Sequence, residues 1–79
     1  MKILLFHHLK NVTGHSEIIF VTAKPLRPAD LWDHLIRDYP LLEKYRKETR
    51  IACNECYVTE ETLLHSGDEV ALIPPVSGG

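Results

Sequence analysis

Residues 29–39 form a segment whose apolar side chains repeat with the period of an α-helix. These side chains would share one face of the helix: Leu31, Trp32, Leu35, Ile36 and Tyr39. Asp30 lies in the first turn, where the helix dipole stabilises a negative charge. Pro40 ends the helix at about Tyr39, because the residue before a proline disfavours the helical conformation. A helix with one apolar face must bury that face, so the rest of the chain has to supply a surface for it.

The segments before this helix have the composition of two β-strands. Residues 2–7 and residues 17–22 are rich in strand-forming side chains, including several that are β-branched. Residues 11–14, which lie between them, have turn chemistry and leave a short gap. We therefore expect the two strands to pair as an antiparallel hairpin.

The segments after the helix are shorter. We expect a short helical segment at residues 41–47, and short strands at residues 50–53 and 56–58 around an Asn54-Glu55 turn. Residues 69–73 are predicted to form the last strand. It ends at the two prolines that follow, because proline cannot donate a hydrogen bond to a strand ladder.

The order of these elements predicts an α+β fold. A hairpin, one main helix, short strands and a late strand give a mixed sheet with the helix packed across one face, which is the β-grasp fold of ubiquitin. The helix provides a crossover, so the last strand should lie parallel to the first. Leu63 and Leu64 are expected to fill the core from a loop. We place the domain at residues 1–75 and a flexible tail at residues 76–79.

The composition argues against several classes of protein. A chain of 79 residues folds as one domain and has no room for a deep catalytic pocket. Its net charge of −2 gives no electrostatic footprint for nucleic acid, and its longest apolar run is too short to span a membrane. We expect a cytoplasmic protein that contacts neither. No two histidines have the helical spacing of a ligand set, so we predict no metal site: His7, His8, His15, His34 and His65.

Cys53 and Cys56 form a single Cys-x-x-Cys motif. Two ligands are too few for a zinc site, and a redox motif of the thioredoxin type should open a helix rather than flank a turn. If the Asn54-Glu55 turn closes a hairpin, the two thiols lie opposite each other across the strands. A reduced structural pair is favoured in a reducing cytosol, and an oxidised, strained bridge stays open as the alternative.

The sequence ends on Gly78-Gly79, directly after Val76 and Ser77. The prolines before them stiffen the exit from the sheet and project a tail outward at about 3.1 Å per residue. Two residues without a Cβ can enter a channel that is too narrow for any other residue. Terminal glycines can also be a frayed end, but together with the prolines they favour a tail that another protein handles.

Residues 67–79 resemble the ending of the MoaD-type small subunit of molybdopterin synthase, in the ubiquitin-like MoaD/ThiS sulfur carrier family. The resemblance covers essentially the whole chain, on residues 2–6, on residues 54–58 and on these positions: Leu31, Trp32, Leu35, Tyr39, Pro40 and Ala52. Two places depart from the family pattern. Cys53 replaces an aliphatic residue, and His7-His8 replace small or apolar residues. Neither departure affects the tail.

The resemblance implies a chemistry for Gly79. An ATP-dependent adenylyltransferase of the ubiquitin-activating type would adenylate its carboxylate, and a sulfur donor would convert the adenylate to a thiocarboxylate. Gly78 would thread with Gly79 into the large subunit of molybdopterin synthase, in a heterotetramer, where the sulfur attacks a cyclic pterin precursor to build a dithiolene. This chain would be a non-catalytic subunit of a sulfurtransferase complex and would bind no cofactor itself. The substrate pocket and the acid-base groups would belong to the large subunit.

A docking face is predicted on the side of the sheet opposite the helix. Strand alternation places Ile3, Leu5, Val70 and Leu72 under the helix and leaves other apolar side chains open to solvent. An apolar cluster there is typical of an interaction surface, and the tail leaves from the same strand. The predicted contacts with partners are the following: Phe6, Tyr57, Ile73, Pro74, Pro75, Val76 and Ser77.

Two other functions stay open at this stage. The chain could carry sulfur for another pathway, such as thiazole, tungsten cofactor or protein modification. It could also be a β-grasp binding module whose tail has no chemical role.

Overall fold

The computed structural model describes residues 1–75, so the predicted tail at 76–79 lies outside the described residues. Five strands form one mixed sheet in the order β2-β1-β5-β3-β4. The elements follow in this order: β1 (Lys2–Leu5), α1 (His8–Thr13), β2 (Glu17–Ile19), α2 (Pro28–Asp38), a 3₁₀ helix (Pro40–Tyr45), β3 (Arg50–Cys53), β4 (Cys56–Tyr57) and β5 (Glu69–Ile73). The pairing of β1 is antiparallel with β2 and parallel with β5. The predicted β-grasp architecture is confirmed.

Helix α2 forms where the apolar period predicted it. Pro28 occupies the first turn, where its fixed φ angle suits a helix and its missing N–H loses nothing. The Asp30 carboxylate accepts a hydrogen bond from the Arg27 backbone N–H at 3.3 Å, which is the N3-to-N-cap half of a capping box. The helix buries Leu31, Trp32 and Leu35 against the sheet. The short helical segment expected after it is the 3₁₀ helix.

The connection between β1 and β2 differs from the prediction. Residues 11–14 were expected to be a plain turn, but helix α1 fills this connection. Leu9 is fully buried and the Thr13 hydroxyl donates to its carbonyl at 3.0 Å, so the segment has its own anchor in the core. Gly14 ends the helix at φ 77°, a conformation that glycine adopts without strain.

Both strands of this first hairpin are also shorter than expected. β1 stops at Leu5 rather than residue 7, because His7 has φ 51° and turns the chain out of the sheet. β2 stops at Ile19 rather than residue 22. Val21 is largely exposed, so no burial holds that segment in the sheet.

Of the two adjacent leucines, Leu63 and Leu64, only one fills the core. Leu64 is 0% exposed, and its backbone exchanges two hydrogen bonds with Leu26, at 2.7 and 2.9 Å. Leu63 is 49% exposed, so the prediction was right for Leu64 and wrong for Leu63. Within residues 1–75, no helix has the length and apolar character needed to cross a membrane.

We expect Leu64→Ala to lower the free energy of unfolding by about 2–5 kcal/mol, because it leaves a cavity in a closely packed core. Leu63→Ala is the matched control and should change it by less than about 1 kcal/mol, because its side chain already meets water. Urea denaturation of both variants measures the difference. Equal effects would show that Leu64 is not part of the core.

Candidate functional site

The central strand of the sheet, β5, positions the root of the tail, by which we mean Ile73, Pro74 and Pro75. β5 lies between β1, to which it is parallel, and β3, to which it is antiparallel, so both its edges are hydrogen-bonded. It ends at Ile73, and Pro74 is buried while Pro75 is exposed. A central strand is held more firmly than an edge strand, and two prolines cannot extend its ladder. The chain therefore leaves the sheet at a fixed point and in a stiff conformation.

The residues predicted to carry the chemistry lie outside residues 1–75, the part of the chain that the structure describes. Gly78 and Gly79, and the predicted partner contacts Val76 and Ser77, belong to residues 76–79, which the structure does not describe. Their roles stay predictions. What the structure supplies is the anchor from which they extend.

The face of the sheet opposite α2 is the predicted docking face. Leu4, Ala71, Ala52 and Tyr57 are successive partners in one row across four strands, so their side chains point to the same side. The side chains predicted to face the helix are all fully or almost fully buried: Ile3, Leu5, Val70 and Leu72. The assignment of the two faces is therefore confirmed.

Several apolar side chains of the open face reach solvent, and those of β1 and β5 lie near the point where the tail leaves the sheet, whereas Tyr57 lies two strands away on β4. We call Leu4, Phe6, Tyr57 and Ile73 the open-face patch. Phe6 is 41% exposed and Tyr57 is 64% exposed, while Leu4 and Ile73 are half-buried. Phe6 and Leu4 also line a groove with the two prolines that precede the tail. Large apolar side chains left in water beside a fixed tail root are what a docking surface requires.

Charged and polar residues border this patch, and they are not among the partner contacts that the sequence predicted. Arg50 is the neighbour of Ile73 across the β3–β5 ladder and lies over the Tyr57 ring. His7 and His8 line the groove beside Pro74 and Pro75. The alternation of β3 already indicated that Arg50 shares a face with Ala52. Its position next to the tail became clear only from the pairing of β3 with β5.

The two cysteines face each other across the β3–β4 hairpin, as predicted. Cys53 pairs with Cys56, and Asn54 and Glu55 form the turn between them with φ angles of 50° and 73°. Both thiols are free. Within residues 1–75, no three His, Cys, Asp or Glu side chains are grouped so that they could hold a metal ion.

Asp68 fastens this hairpin to the start of β5. Its carboxylate accepts hydrogen bonds from the His65 backbone N–H at 2.7 Å and from the Asn54 side-chain amide at 3.2 Å, and these lower the pKa of Asp68. Burial, followed by a hydrogen bond to Asp68, raises the pKa of the Cys53 thiol to about 11. A thiol with a raised pKa is a poor nucleophile. Burial and the Asp68 contact therefore favour a structural Cys53 over a reactive one.

We expect Cys53 to react slowly with alkylating agents. Raising its pKa from 9.0 to about 11 leaves about a hundredfold less thiolate near neutral pH. A Cys56→Ser variant isolates this thiol, and its alkylation by iodoacetamide at pH 8 should be about a hundredfold slower in the folded protein than in urea. The Cys53→Ser variant reports Cys56 as the control. Equal rates for Cys53 in the folded and unfolded protein would contradict the structural role.

Comparison with known proteins gives a consistent set of likenesses. A model of the ThiS family matches residues 3–79. The molybdopterin synthase sulfur carrier subunit of Arabidopsis thaliana is 33% identical over 79 residues, which is 100% of this chain and 82% of that protein. The crystal structure of SAMP1 from Haloferax volcanii matches with a TM-score of 0.85 and 28% identity, covering 100% of this chain and 98% of that one.

A further likeness concerns an assembly. A chain in the protein–protein complex of subunits 1 and 2 of the molybdopterin-converting factor from Helicobacter pylori matches with a TM-score of 0.68. It is 24% identical and covers 99% of this chain and 96% of that one. At this identity the likeness shows the fold.

Proposed function

This chain belongs to the ThiS family, as its sequence resemblance predicted, and on that premise we propose that it is the sulfur carrier subunit of a molybdopterin synthase. The observation that carries the proposal is the match over its whole length to a relative of that name. The geometry of β5 supports it, because the strand and its two prolines anchor a tail that ends on two glycines.

The reactive group in this proposal is the carboxylate of Gly79. A free carboxylate is a weak electrophile, so it must first be activated. Attack of this carboxylate on the α-phosphate of ATP gives an acyl-adenylate and releases pyrophosphate. A sulfur donor then displaces AMP and leaves a thiocarboxylate. The thiocarboxylate sulfur then attacks the pterin precursor, and water cleaves its C–S bond to Gly79, which returns the carboxylate. A dithiolene contains two sulfur atoms, so two such transfers complete it.

Partners supply everything else that the reaction needs. An adenylyltransferase of the ubiquitin-activating type binds and uses the ATP, so this chain needs no cofactor of its own. The large subunit of the synthase provides the precursor pocket and the acid-base groups, in a heterotetramer with this chain. The Helicobacter pylori complex supports a partner of this kind, because its two subunits were solved together. We place the reaction in the cytoplasm.

The open-face patch is where we propose that these partners dock. Phe6, Tyr57 and Ile73 would be covered, and Pro74 and Pro75 would guide the tail into the partner. Val76 and Ser77 would contact the partner at the entrance of the channel, and Gly78 would enter its narrow part with Gly79. Since Pro74 is anchored at the end of β5, the depth that Gly79 reaches is set by the number of residues after it.

The likeness to SAMP1 favours a second candidate. A second crystal structure from Haloferax volcanii, described as small archaeal modifier protein 1, also matches this fold, with a TM-score of 0.83 and 26% identity. The same activated glycine would then be passed to an amino group of another protein, with loss of AMP and formation of an amide bond.

Reconstitution separates the two candidates. We expect molybdopterin to form when the purified chain is mixed with the adenylyltransferase, ATP, a sulfur donor, the large subunit and the pterin precursor. No molybdopterin should form when the chain is omitted. A product that depends on this chain supports the carrier. Conjugation of the chain to lysines, with no molybdopterin formed, would replace the carrier with the modifier.

A further inference from the structure

Arg50 occupies the open face where the tail leaves the sheet. It is the direct neighbour of Ile73, the last residue of β5 before the two prolines. Its guanidinium carbon lies 5.6 Å from the centre of the Tyr57 ring. A cation above an aromatic ring is attracted to it, so the Tyr57 ring favours this position of the guanidinium group.

Two other cations, Lys2 and Arg46, have carboxylate partners, whereas Arg50 has none within residues 1–75. Lys2, at the far end of the open face, pairs with Glu17 at 3.6 Å. Arg46, on the helical side, binds Asp33 at 3.0 Å and the Ala29 carbonyl at 3.3 Å. Within residues 1–75, no carboxylate or carbonyl group is bonded to the Arg50 side chain. The Arg50 side chain is exposed, and it lines a groove together with Tyr57 and Glu60.

Docking changes the energetics of such a group. A partner that covers Phe6, Tyr57 and Ile73 also removes water from the adjacent guanidinium, and burying a charge without a partner is strongly unfavourable. Stable docking therefore requires an acceptor opposite Arg50. The planar fork of a guanidinium fits a carboxylate through two parallel hydrogen bonds, a geometry that lysine cannot reproduce.

We propose that Arg50 binds a carboxylate side chain of the large synthase subunit, at the mouth of the channel that receives the tail. This inference rests on the proposed function, which makes that subunit the occupant of the open face. The contact would set the register of the tail, because Arg50 and the root of the tail are fixed on neighbouring strands. A partner with a cation at this position would be repelled.

The test is calorimetric binding of the full-length chain to the large subunit. Arg50→Gln should weaken binding about thirtyfold or more, because it leaves the carboxylate of the partner buried and unpaired. Arg50→Lys keeps the charge without the fork and should recover only part of that loss. Arg46→Gln and Lys2→Gln are matched controls that remove cations elsewhere, and each should change the affinity less than about threefold. Equal melting temperatures confirm that the variants fold.

Charge reversal identifies the acceptor. Arg50→Glu should abolish measurable binding, and one Asp→Arg or Glu→Arg substitution in the large subunit should restore it. If Arg50→Gln binds like the parent protein while Phe6→Asp does not, the Arg50 contact is wrong and the docking face stands. If neither substitution affects binding, the docking face and the Arg50 contact are both wrong. Weakened binding to the adenylyltransferase alone would also overturn the assignment to the large subunit.

Discussion

Deleting Gly79, or adding one residue after it, should lower sulfur transfer to the pterin precursor at least a hundredfold and leave the melting temperature unchanged. The reactive group is the carboxylate at a fixed distance from Pro74 and Pro75. One residue more or less moves it by about 3.3 Å, whereas a misplacement of about 1 Å can reduce a rate about a hundredfold. Gly78→Val should act similarly, because its side chain blocks a channel shaped for glycine.

The measurement combines single-turnover sulfur transfer with melting curves and binding to the large subunit. The tail variants keep Phe6, Tyr57 and Ile73, so their binding through the open face should persist while transfer is lost. This separates a chemical defect from a docking defect. An extended tail that still supports product formation would show that the terminal carboxylate is not the reactive group.

Placing a charge in the open-face patch should weaken binding to the large subunit and to the adenylyltransferase by about thirty- to a hundredfold. Phe6→Asp and Ile73→Asp each put a carboxylate where docking removes water, and truncating or charging a central apolar contact is among the costliest interface changes. Both residues reach solvent in the free protein, so the fold should survive.

Ile19→Asp is the matched control for these two variants. Ile19 is 65% exposed on edge strand β2 and shares the open face with Lys2, away from the tail. Its substitution should change either affinity less than about threefold. If all three variants bind like the parent protein, the partners dock elsewhere. If Ile19→Asp weakens binding as much as Phe6→Asp does, the interface covers the whole sheet face.

The sequence predicted those parts of the fold that local chemistry determines. The α2 helix has a clear apolar period and a proline at each end, so its bounds followed closely. β3 and β5 matched their predicted residues, because a turn dipeptide and two prolines mark where they end. The buried and open faces of β1 and β5 also followed from simple alternation.

Contacts between residues distant in the sequence determine those parts of the fold that the sequence did not predict. Residues 11–14 have turn chemistry, but burial of Leu9 and Thr13 holds residues 8–13 in helix α1, and only Gly14 lies outside it. Leu63 and Leu64 are chemically identical, and only the pairing of Leu64 with Leu26 distinguishes them. The role of Arg50 required knowing which strand lies beside β5, and alternation within one strand does not give that.

The mass of the intact chain tests the central claim most directly. After incubation with the adenylyltransferase, ATP and a sulfur donor, the protein should gain the mass difference of one sulfur replacing one oxygen. Fragmentation should place the change on Gly79, and omission of ATP should prevent it. An unchanged mass under conditions in which a known carrier is modified, or a sulfur added to Cys53 or Cys56 instead, would contradict the account.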